Sequence, residues 1–180
     1  MFKNLILAVA LIAILPGQLR AESTTEREYK IKAAFLYNFI KFVEWPKAKE
    51  QNTKEPIIIG IIGKDPFKKA FEPLKNKQIK SRKVIVKRFK NTDKIEDIKK
   101  CHLLFISPSE KKQVKKIVKL IQKYDILTVS DIKGFAKSDG IIQFSIVKKK
   151  LGFMVNTKNA KKQGLKIRSK LLRLAKKVIE

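Results

Sequence analysis

The spacing of apolar and polar residues near the start of the chain predicts one long helix. Residues 33–45 contain only three polar side chains, which favours a helix from Tyr29 to Trp45 that ends before Pro46. Thr25 and Glu28 precede it with the spacing of a capping box. A helix packed on a sheet needs an apolar stripe only roughly 100° wide, so this helix carries more apolar surface than one buried face requires.

Apolar runs farther along the chain predict an α/β fold. Continuous runs of β-branched residues are typical of strands buried on both faces, and capping or turn residues separate them from helical patterns. We predict a mixed, mostly parallel sheet of about six strands, with helices on both faces and an antiparallel hairpin at one edge. The predicted strands are residues 56–62, 83–89, 102–106, 126–130, 141–147 and 151–155, and the predicted helices are 65–74, 93–99, 107–124 and 156 to the end, with a break near Gly164.

The first 21 residues have the pattern of a secretory signal peptide. Lys3 supplies a positive start, residues 5–15 form an apolar run, and Ala21 offers a small residue at the cleavage site. The run is shorter than the roughly 20 residues that span a bilayer, although a retained anchor and a buried N-terminal helix are alternatives. We expect an exported protein with a single domain over residues 22–180 and no membrane span after cleavage.

The charge of the chain is strongly positive. It has 43 Lys and Arg against 16 Asp and Glu, a net charge of +27, and 37 of the basic residues are lysine. Selected phosphate-binding surfaces favour the bidentate fork of arginine, and export removes a protein from nucleic acid, so we expect no nucleic-acid partner. The single Cys excludes an intramolecular disulfide and the single His excludes a His-based metal cluster. We expect no cofactor and no metal.

No set of side chains has the pattern of an enzyme. The segment Gly60–Asp65 has two residues between its glycines and an Asp after the Lys, where a phosphate loop has four residues and a Ser or Thr. His102 with Ser107 and Asp131 could suggest a hydrolase, but His102 lies in an apolar strand and there is no Gly-x-Ser-x-Gly elbow. Asp131 and Asp139 flank a strand-end loop of the kind that binds ligands in α/β folds, and turn chemistry also accounts for them.

Five pieces of the chain occur in an order shared with a known family. They are Tyr29–Phe39 with Phe42–Pro46, Gly63–Phe67, Cys101–Ser107, Leu127–Asp131 with Gly134–Ala136, and Gly164–Ile167 with Ser169–Ala175. Together they resemble the YfiR-like family of periplasmic proteins. The resemblance implies a bacterial periplasmic regulator. In the best-known branch, the regulator holds an inner-membrane diguanylate cyclase inactive by binding its periplasmic domain, and loss of that restraint raises cyclic di-GMP and favours biofilm.

The chain departs from the family pattern at its cysteines. Relatives often carry paired cysteines that form a disulfide, which suits the oxidising periplasm. Cys101 stands where one of them is expected, and Gly60 takes the place of its partner. The resemblance therefore implies that redox control through this disulfide is absent here. We expect Cys101 to be a buried, small apolar residue, with an intermolecular disulfide as the alternative.

The aromatic residues of the first helix are the candidate partner-binding site. Large rings are favoured at protein–protein interfaces, and the family resemblance makes the periplasmic domain of an inner-membrane signalling protein, or a second copy of the chain, the natural partner. The alternative is a central helix buried wholly within its own domain. The predicted partner-binding residues are Phe35, Tyr37, Phe39, Phe42 and Trp45. Tyr37 is expected to place its hydroxyl at a wet rim.

The C-terminal segment predicts a second amphipathic helix. Apolar residues recur at helical spacing over residues 171–178, between basic residues. This narrow stripe favours packing on the sheet, with binding to an anionic membrane as the alternative.

These patterns favour a regulatory binding protein over an enzyme. The leading hypothesis is a periplasmic protein that restrains a membrane-anchored diguanylate cyclase or related sensor through protein–protein contact. The second hypothesis is a periplasmic sensor or carrier of a small anion, bound at the strand-end loops near Gly63 and Asp131.

Overall fold

A computed structural model describes residues 23–46, 55–147 and 150–180. The predicted signal peptide, residues 1–21, lies outside these ranges. The described residues form a mixed, mostly parallel sheet with helices on both faces and an antiparallel hairpin, which confirms the predicted α/β class. Among these residues, no helix combines the length and the apolarity needed to cross a bilayer.

Strands and helices are numbered along the described chain. The strands are β1 Val43–Glu44, β2 Ile57–Ile62, β3 Gln78–Ile79, β4 Arg82–Phe89, β5 Leu103–Ile106, β6 Leu127–Ser130, β7 Ile142–Val147, β8 Lys150–Asn156, β9 Lys166–Ile167 and β10 Lys177–Ile179. The helices are α1 Thr24–Lys41, α2 Ile95–Ile98, α3 Val114–Ile121, α4 Thr157–Lys162 and α5 Ser169–Leu172. The main sheet has the order β10-β8-β7-β6-β5-β2-β4-β3, and β1 pairs separately with β9.

Five neighbouring strands form the parallel part of the main sheet. β2 lies between β4 and β5, and β6 and β7 follow β5, all parallel. Their C-terminal ends therefore meet at one edge, which we call the carboxyl edge. β8 returns antiparallel to β7, and β10 adds to β8 in parallel. The sheet has eight strands rather than six, because β3 and β10 are too short to show a strand pattern in the sequence.

The sheet separates two hydrophobic cores. One face packs against α1 and the segments around Phe67 and Leu165, and the other face packs against α3 and Ile98 of α2. Successive residues of a strand point to opposite faces, so the uninterrupted apolar runs of β2, β5 and β6 supply both cores. α1 and α3 consequently lie on opposite faces of the sheet.

The first helix begins earlier and ends earlier than the sequence pattern predicts. Ser23 is its N-cap, because the Ser23 hydroxyl accepts a hydrogen bond from the Glu26 N–H at 3.1 Å. The predicted capping box at Thr25 and Glu28 is therefore wrong, and both residues lie inside the helix. The helix ends at Lys41, because the next residues leave it to pair with β9.

The predicted helix from residue 156 to the end is partly wrong. Helix does follow Asn156 as α4, break near Gly164 and resume as α5, but β9 and β10 replace it elsewhere, and Val178 pairs with Val155 of β8. Tertiary pairing overrides a helical spacing that is only about two turns long. The predicted helix over 107–124 is also interrupted: Ser107 caps a short 3-10 turn, Pro108–Glu110, and α3 starts later.

Cys101 is buried, as the sequence predicts, and its thiol donates to the Asp97 carbonyl at 3.8 Å. A Cβ built on Gly60 would lie 2.8 Å from the Cys101 Sγ, so position 60 faces the thiol as the family resemblance implies. Complete burial keeps this thiol away from the thiols of other molecules.

Candidate functional site

Tyr37 and Phe39 pack inside the domain. Phe39 has no exposed surface, and its ring centroid lies 4.9 Å from that of Phe153 and 5.7 Å from that of Phe144 on the β7–β8 hairpin. Tyr37 is also buried, and its hydroxyl donates to the Gln78 carbonyl at 2.9 Å. The hydroxyl that was expected at a wet rim is thus satisfied by the backbone of β3.

Phe35, Phe42 and Trp45 are half-buried. Lys170 places its Nζ 5.6 Å from the centre of the Phe42 ring, and the Trp45 indole N–H donates to the Asp125 carbonyl at 3.0 Å. All five predicted aromatic residues therefore contact their own domain. Three lie on α1, while Phe42 and Trp45 follow it, and together they do not form one exposed surface. Their binding of a partner stays a prediction, and Phe35 is the member beside a larger exposed apolar area.

That exposed area lies where α1 meets the β7–β8 hairpin. Ile31 is 45% exposed and lies one helical turn before Phe35. Ile146 is 59% exposed and pairs with Leu151 across the hairpin, on the hairpin face whose rings contact Phe35. Contiguous exposed apolar residues mark interaction sites more often than isolated ones do. We call Ile31, Phe35, Ile146 and Leu151 the apolar strip.

Lys32 is the centre of a buried ion cluster beside this strip. Its side chain is 3% exposed, and its Nζ lies 2.6 Å from Glu28 Oε1 and 2.5 Å from Asp131 Oδ2. The Tyr29 hydroxyl donates to the same Asp131 oxygen at 2.8 Å. A buried ammonium group needs such partners to offset its loss of hydration. Because Asp131 directly follows β6, the cluster fixes the N-terminal half of α1 to the carboxyl edge.

Tyr29 keeps its proton in this cluster. Burial, followed by the charge of Asp131, raises the pKa of the Tyr29 phenol well above its ordinary value. The phenol is therefore a hydrogen-bond donor over the whole physiological range. Both donors use Asp131 Oδ2, and the buried Oδ1 has no hydrogen-bond partner within the described part of the chain.

A cavity of about 830 Å³ opens next to the ion cluster. Its volume is in the range that holds small molecules. Ser145 also contributes a buried hydroxyl with no hydrogen-bond partner among the described residues, so two polar atoms on the walls lack partners. The apolar residues that line the cavity are Phe144, Ile146, Leu151 and Met154. Its lysines are Lys133, Lys137 and Lys177.

The sequence reasoning named Asp131 here but missed Lys32 and Ser145. The available signal was a lysine within an apolar helical stretch, four residues after Glu28, at the spacing of a helical ion pair. Asp139, the other predicted loop carboxylate, is not in this cavity; it lines a smaller one beside α3.

The second predicted ligand position, near Gly63, is filled by the protein itself. The Lys64 N–H donates to the Ser109 hydroxyl at 2.9 Å, and the Ser107 hydroxyl donates to the Lys64 carbonyl at 2.7 Å. A Cβ on Gly63 would lie 2.5 Å from Ser109 Oγ and 2.7 Å from Glu110 Oε1. The space that an anion would need is occupied, and the nearby carboxylate would repel it.

His102 is held within the core by hydrogen bonds. Its Nδ1 accepts from the Ile58 N–H at 3.2 Å, and its Nε2 lies 3.1 Å from Arg82 Nη2. His102 precedes β5 whereas Ser107 follows it, so the strand separates the two residues that a hydrolase would bring together. Within residues 23–46, 55–147 and 150–180, no three His, Cys, Asp or Glu side chains are grouped to hold a metal ion.

Comparisons with known proteins give a family and a fold. A family model described as DUF4154, YfiR/HmsC-like, matches residues 29–176. The fold is similar to the crystal structure of a conserved domain protein from Vibrio cholerae O1 biovar El Tor strain N16961, with a TM-score of 0.57 over 83% of this chain. The two sequences are 7% identical, and this chain spans 60% of the length of that one, so the likeness concerns the fold alone. No match was found among curated proteins.

Proposed function

Since the chain belongs to the YfiR/HmsC-like family, we propose that it restrains a membrane-anchored diguanylate cyclase or related sensor by binding the periplasmic domain of that protein. Proteins of this family are periplasmic, non-catalytic regulators in cyclic di-GMP signalling, and they generally act on a membrane sensor. For this chain, the identity of the partner as a cyclase or sensor and the surface that contacts it are our proposal.

The apolar strip is the observation that carries this proposal. Ile146 and Ile31 expose much of their side chains, while Phe35 and Leu151 fill the space between the helix and the hairpin. Apolar and aromatic anchors of this kind supply most of the free energy of binding at protein interfaces. Phe35 is also one of the partner-binding residues that the sequence predicts. A second copy of the chain is the other candidate occupant, and its presence would appear as a dimer in ultracentrifugation.

Restraint of the partner follows from binding alone. A protein that binds the inactive conformation of its partner more tightly than the active one shifts the partner towards inactivity, by an amount equal to the difference in binding free energy. No catalytic step is needed. The positive charge of the chain, +27 before any processing, would speed its encounter with an acidic partner surface, and added salt would slow it.

The proposal is tested by deleting the gene and measuring cellular cyclic di-GMP. We expect the level to rise on deletion and to return when the wild-type chain is supplied in trans. An Ile146→Asp variant should fail to restore it, because a carboxylate within the apolar strip weakens binding by about tenfold or more. The melting temperature of this variant should stay close to that of the wild type, since Ile146 is exposed.

Leu174→Asp is the matched control, because Leu174 is equally exposed but outside the strip. It should restore cyclic di-GMP as well as the wild type does. An unchanged cyclic di-GMP level on deletion would contradict the restraint itself. Restoration by Ile146→Asp would leave the restraint standing and remove the apolar strip as its contact surface.

A second candidate function is the sensing of a small molecule in the cavity beside Lys32. The specific observation is the pair of buried oxygens without partners, Asp131 Oδ1 and Ser145 Oγ. Two carboxylates, Glu28 and Asp131, surround the buried ammonium group of Lys32, so a hydrogen-bond donor suits the inner part of this cavity better than an anion does. Native mass spectrometry of the protein recovered from the periplasm should show a bound mass that Ser145→Val abolishes.

A further inference from the structure

The outer face of α3 and the turns that flank it carry a dense group of lysines. No acidic residue occurs between Lys111 and Tyr124. The lysines of this stretch are all exposed, while Ile117, Val118 and Ile121 hold the inner face of the helix in the core. We call the following six residues the lysine face: Lys111, Lys112, Lys115, Lys116, Lys119 and Lys123.

These lysines lack the acidic partners that some other lysines of the described residues have. Lys32 is paired with Glu28 and Asp131, and Lys166 lies 3.5 Å from Glu44. Within the described residues no member of the lysine face forms an ion pair. Lys115 and Lys119 are one helical turn apart, a spacing at which like charges destabilise a helix. Lys123 lies 5.4 Å from the centre of the Tyr124 ring, but no carboxylate of the described residues neutralises the charge of this arrangement.

The lysine face also carries apolar surface. Leu120 is 41% exposed in the middle of it, and Val114 is half-buried at its start. A second, smaller cavity of about 190 Å³ lies between α3 and the loop after β6, and Lys111, Lys115 and Lys133 stand around its apolar floor. Lysines around exposed apolar side chains are the pattern of an amphipathic surface that lies on a membrane.

We propose that the lysine face binds the surface of an anionic phospholipid bilayer. Clusters of four to eight basic residues on an amphipathic helix bind anionic lipid headgroups, and the compact ammonium group suits phosphates whose positions are not fixed. The face contains no arginine, the residue that suits bidentate recognition of carboxylates on a specific acidic protein. The choice of a bilayer rests on the proposed function, which places the partner in a membrane.

The position of the lysine face complements the apolar strip. α1 and α3 cover opposite faces of the sheet. When α3 lies against the bilayer, α1 and the apolar strip are directed away from the lipid, into the space that a periplasmic domain occupies. Binding to the bilayer then confines the regulator to the layer that contains its partner and raises its local concentration there.

Sedimentation with lipid vesicles tests this proposal. The protein is recovered as the cell processes it, and it is mixed with vesicles of phosphatidylethanolamine and phosphatidylglycerol or with vesicles of phosphatidylcholine alone. We expect binding to the first vesicles at low salt, loss of that binding in concentrated salt, and little binding to the second. The quadruple variant K112Q/K115Q/K116Q/K119Q should bind the anionic vesicles on the order of 100-fold more weakly.

A second quadruple variant separates a local surface from net charge. K75Q/K77Q/K158Q/K162Q removes the same charge from exposed lysines elsewhere and should keep at least most of the binding. Equal losses in both variants would overturn the proposal and assign the binding to net charge. Normal vesicle binding by the α3 variant, with loss of its effect on cyclic di-GMP, would also overturn it and make an acidic protein the occupant. The proposed function fails separately, if gene deletion leaves cyclic di-GMP unchanged while vesicle binding persists.

Discussion

α1 and α3 cover opposite faces of one sheet and use their side chains in contrasting ways. α1 buries six of its residues, including a lysine, and its polar tips are satisfied inside the domain, as those of Tyr29, Lys32 and Tyr37 show. α3 buries three of its eight residues, Ile117, Val118 and Ile121, and none of its lysines pairs with a carboxylate of the described residues. The apolar richness of α1 is therefore mostly accounted for by its own domain, whereas no carboxylate within the described chain neutralises the charge of α3.

This contrast indicates where function is to be sought in this fold. Most of the large apolar side chains of α1 are covered by its own sheet and by neighbouring segments. Ile31 is the large apolar side chain that α1 leaves exposed, and with the half-buried Phe35 it forms the apolar strip together with the hairpin. Two features have no partner within the described residues and are not needed by the fold itself. They are the lysines on α3, which lack acidic partners, and the oxygens without hydrogen bonds in the cavity at the carboxyl edge.

The largest expected effect is on the α1 side of the comparison. Phe39→Ala should lower the free energy of unfolding by about 3–5 kcal/mol, because it removes a fully buried ring and leaves a cavity. Chemical denaturation measures this loss. Phe35→Ala is the control and should cost less, since its ring is half-buried. A Phe39→Ala variant of normal stability that fails to bind its partner would return Phe39 to the interface and contradict the contrast between α1 and α3.

The two kinds of lysine provide the next test. Lys32→Met should lower the free energy of unfolding by about 3 kcal/mol, because it leaves the Asp131 carboxylate beside an apolar side chain without its counterion. Adding Asp131→Asn should recover part of the loss. Lys116→Met, the matched change on the lysine face, should alter stability by less than about 0.5 kcal/mol. Similar losses for Lys32→Met and Lys116→Met would contradict the contrast between the two helices.

The sequence predicts the frame of this fold better than its ends. Buried strands such as Ile57–Ile62 are recognisable because a continuous run of β-branched residues, bounded by turn residues, favours a strand buried on both faces over a helix. The C-terminal segment was harder to predict, because the spacing of its apolar residues over 171–178 is compatible with a helix. Pairing with β8 instead makes the end of this segment a short strand.

The predicted site shows the same limit. The five aromatic residues were selected because α1 has more apolar surface than one face of a sheet requires. The sequence did not reveal that β3, the β7–β8 hairpin and the segment near Lys170 would cover most of that surface. Asp131 was named from its place after a strand, but its pairing with Lys32 depends on the packing of elements far apart in the chain.

The packing of the core on the α3 side can be tested by introducing the disulfide that the family pattern places at positions 60 and 101. Gly60→Cys should form a bond with Cys101 on export, because the new Cβ would lie 2.8 Å from the existing Sγ. Closing this long loop should raise the free energy of unfolding by about 2 kcal/mol, after strain against Leu104 is subtracted. Mass spectrometry of free thiols and melting with and without reductant measure both effects. Two free thiols in the exported Gly60→Cys variant would contradict the predicted bond. Gly60→Ser is the control for the added side-chain volume.

The ion cluster on the α1 side predicts a dependence on pH. The pKa of Tyr29 is raised in the folded protein, so its contribution to stability is complete below the unfolded value near 10 and is lost as the pH rises above it. The fall should be less than about 1.4 kcal/mol per pH unit, because the ring is only partly shielded from solvent. Tyr29→Phe should flatten the fall in denaturation curves measured across this range. Equal slopes in the two proteins would show that Tyr29 titrates alike in both states.

The smallest expected effect belongs to α3, and its sign is the informative part. Lys115→Gln should raise the free energy of unfolding by about 0.2–0.5 kcal/mol, because it removes repulsion from Lys119 one turn away and takes a positive charge out of the first turn of α3. Concentrated salt should erase the difference, since both charges are exposed and screened. Lys100→Gln is the matched control: Lys100 lies 3.7 Å from Asp97, so its loss should be neutral or slightly destabilising. A destabilised Lys115→Gln would mean that the lysine face serves the fold itself, and the reason to assign it an external partner would disappear.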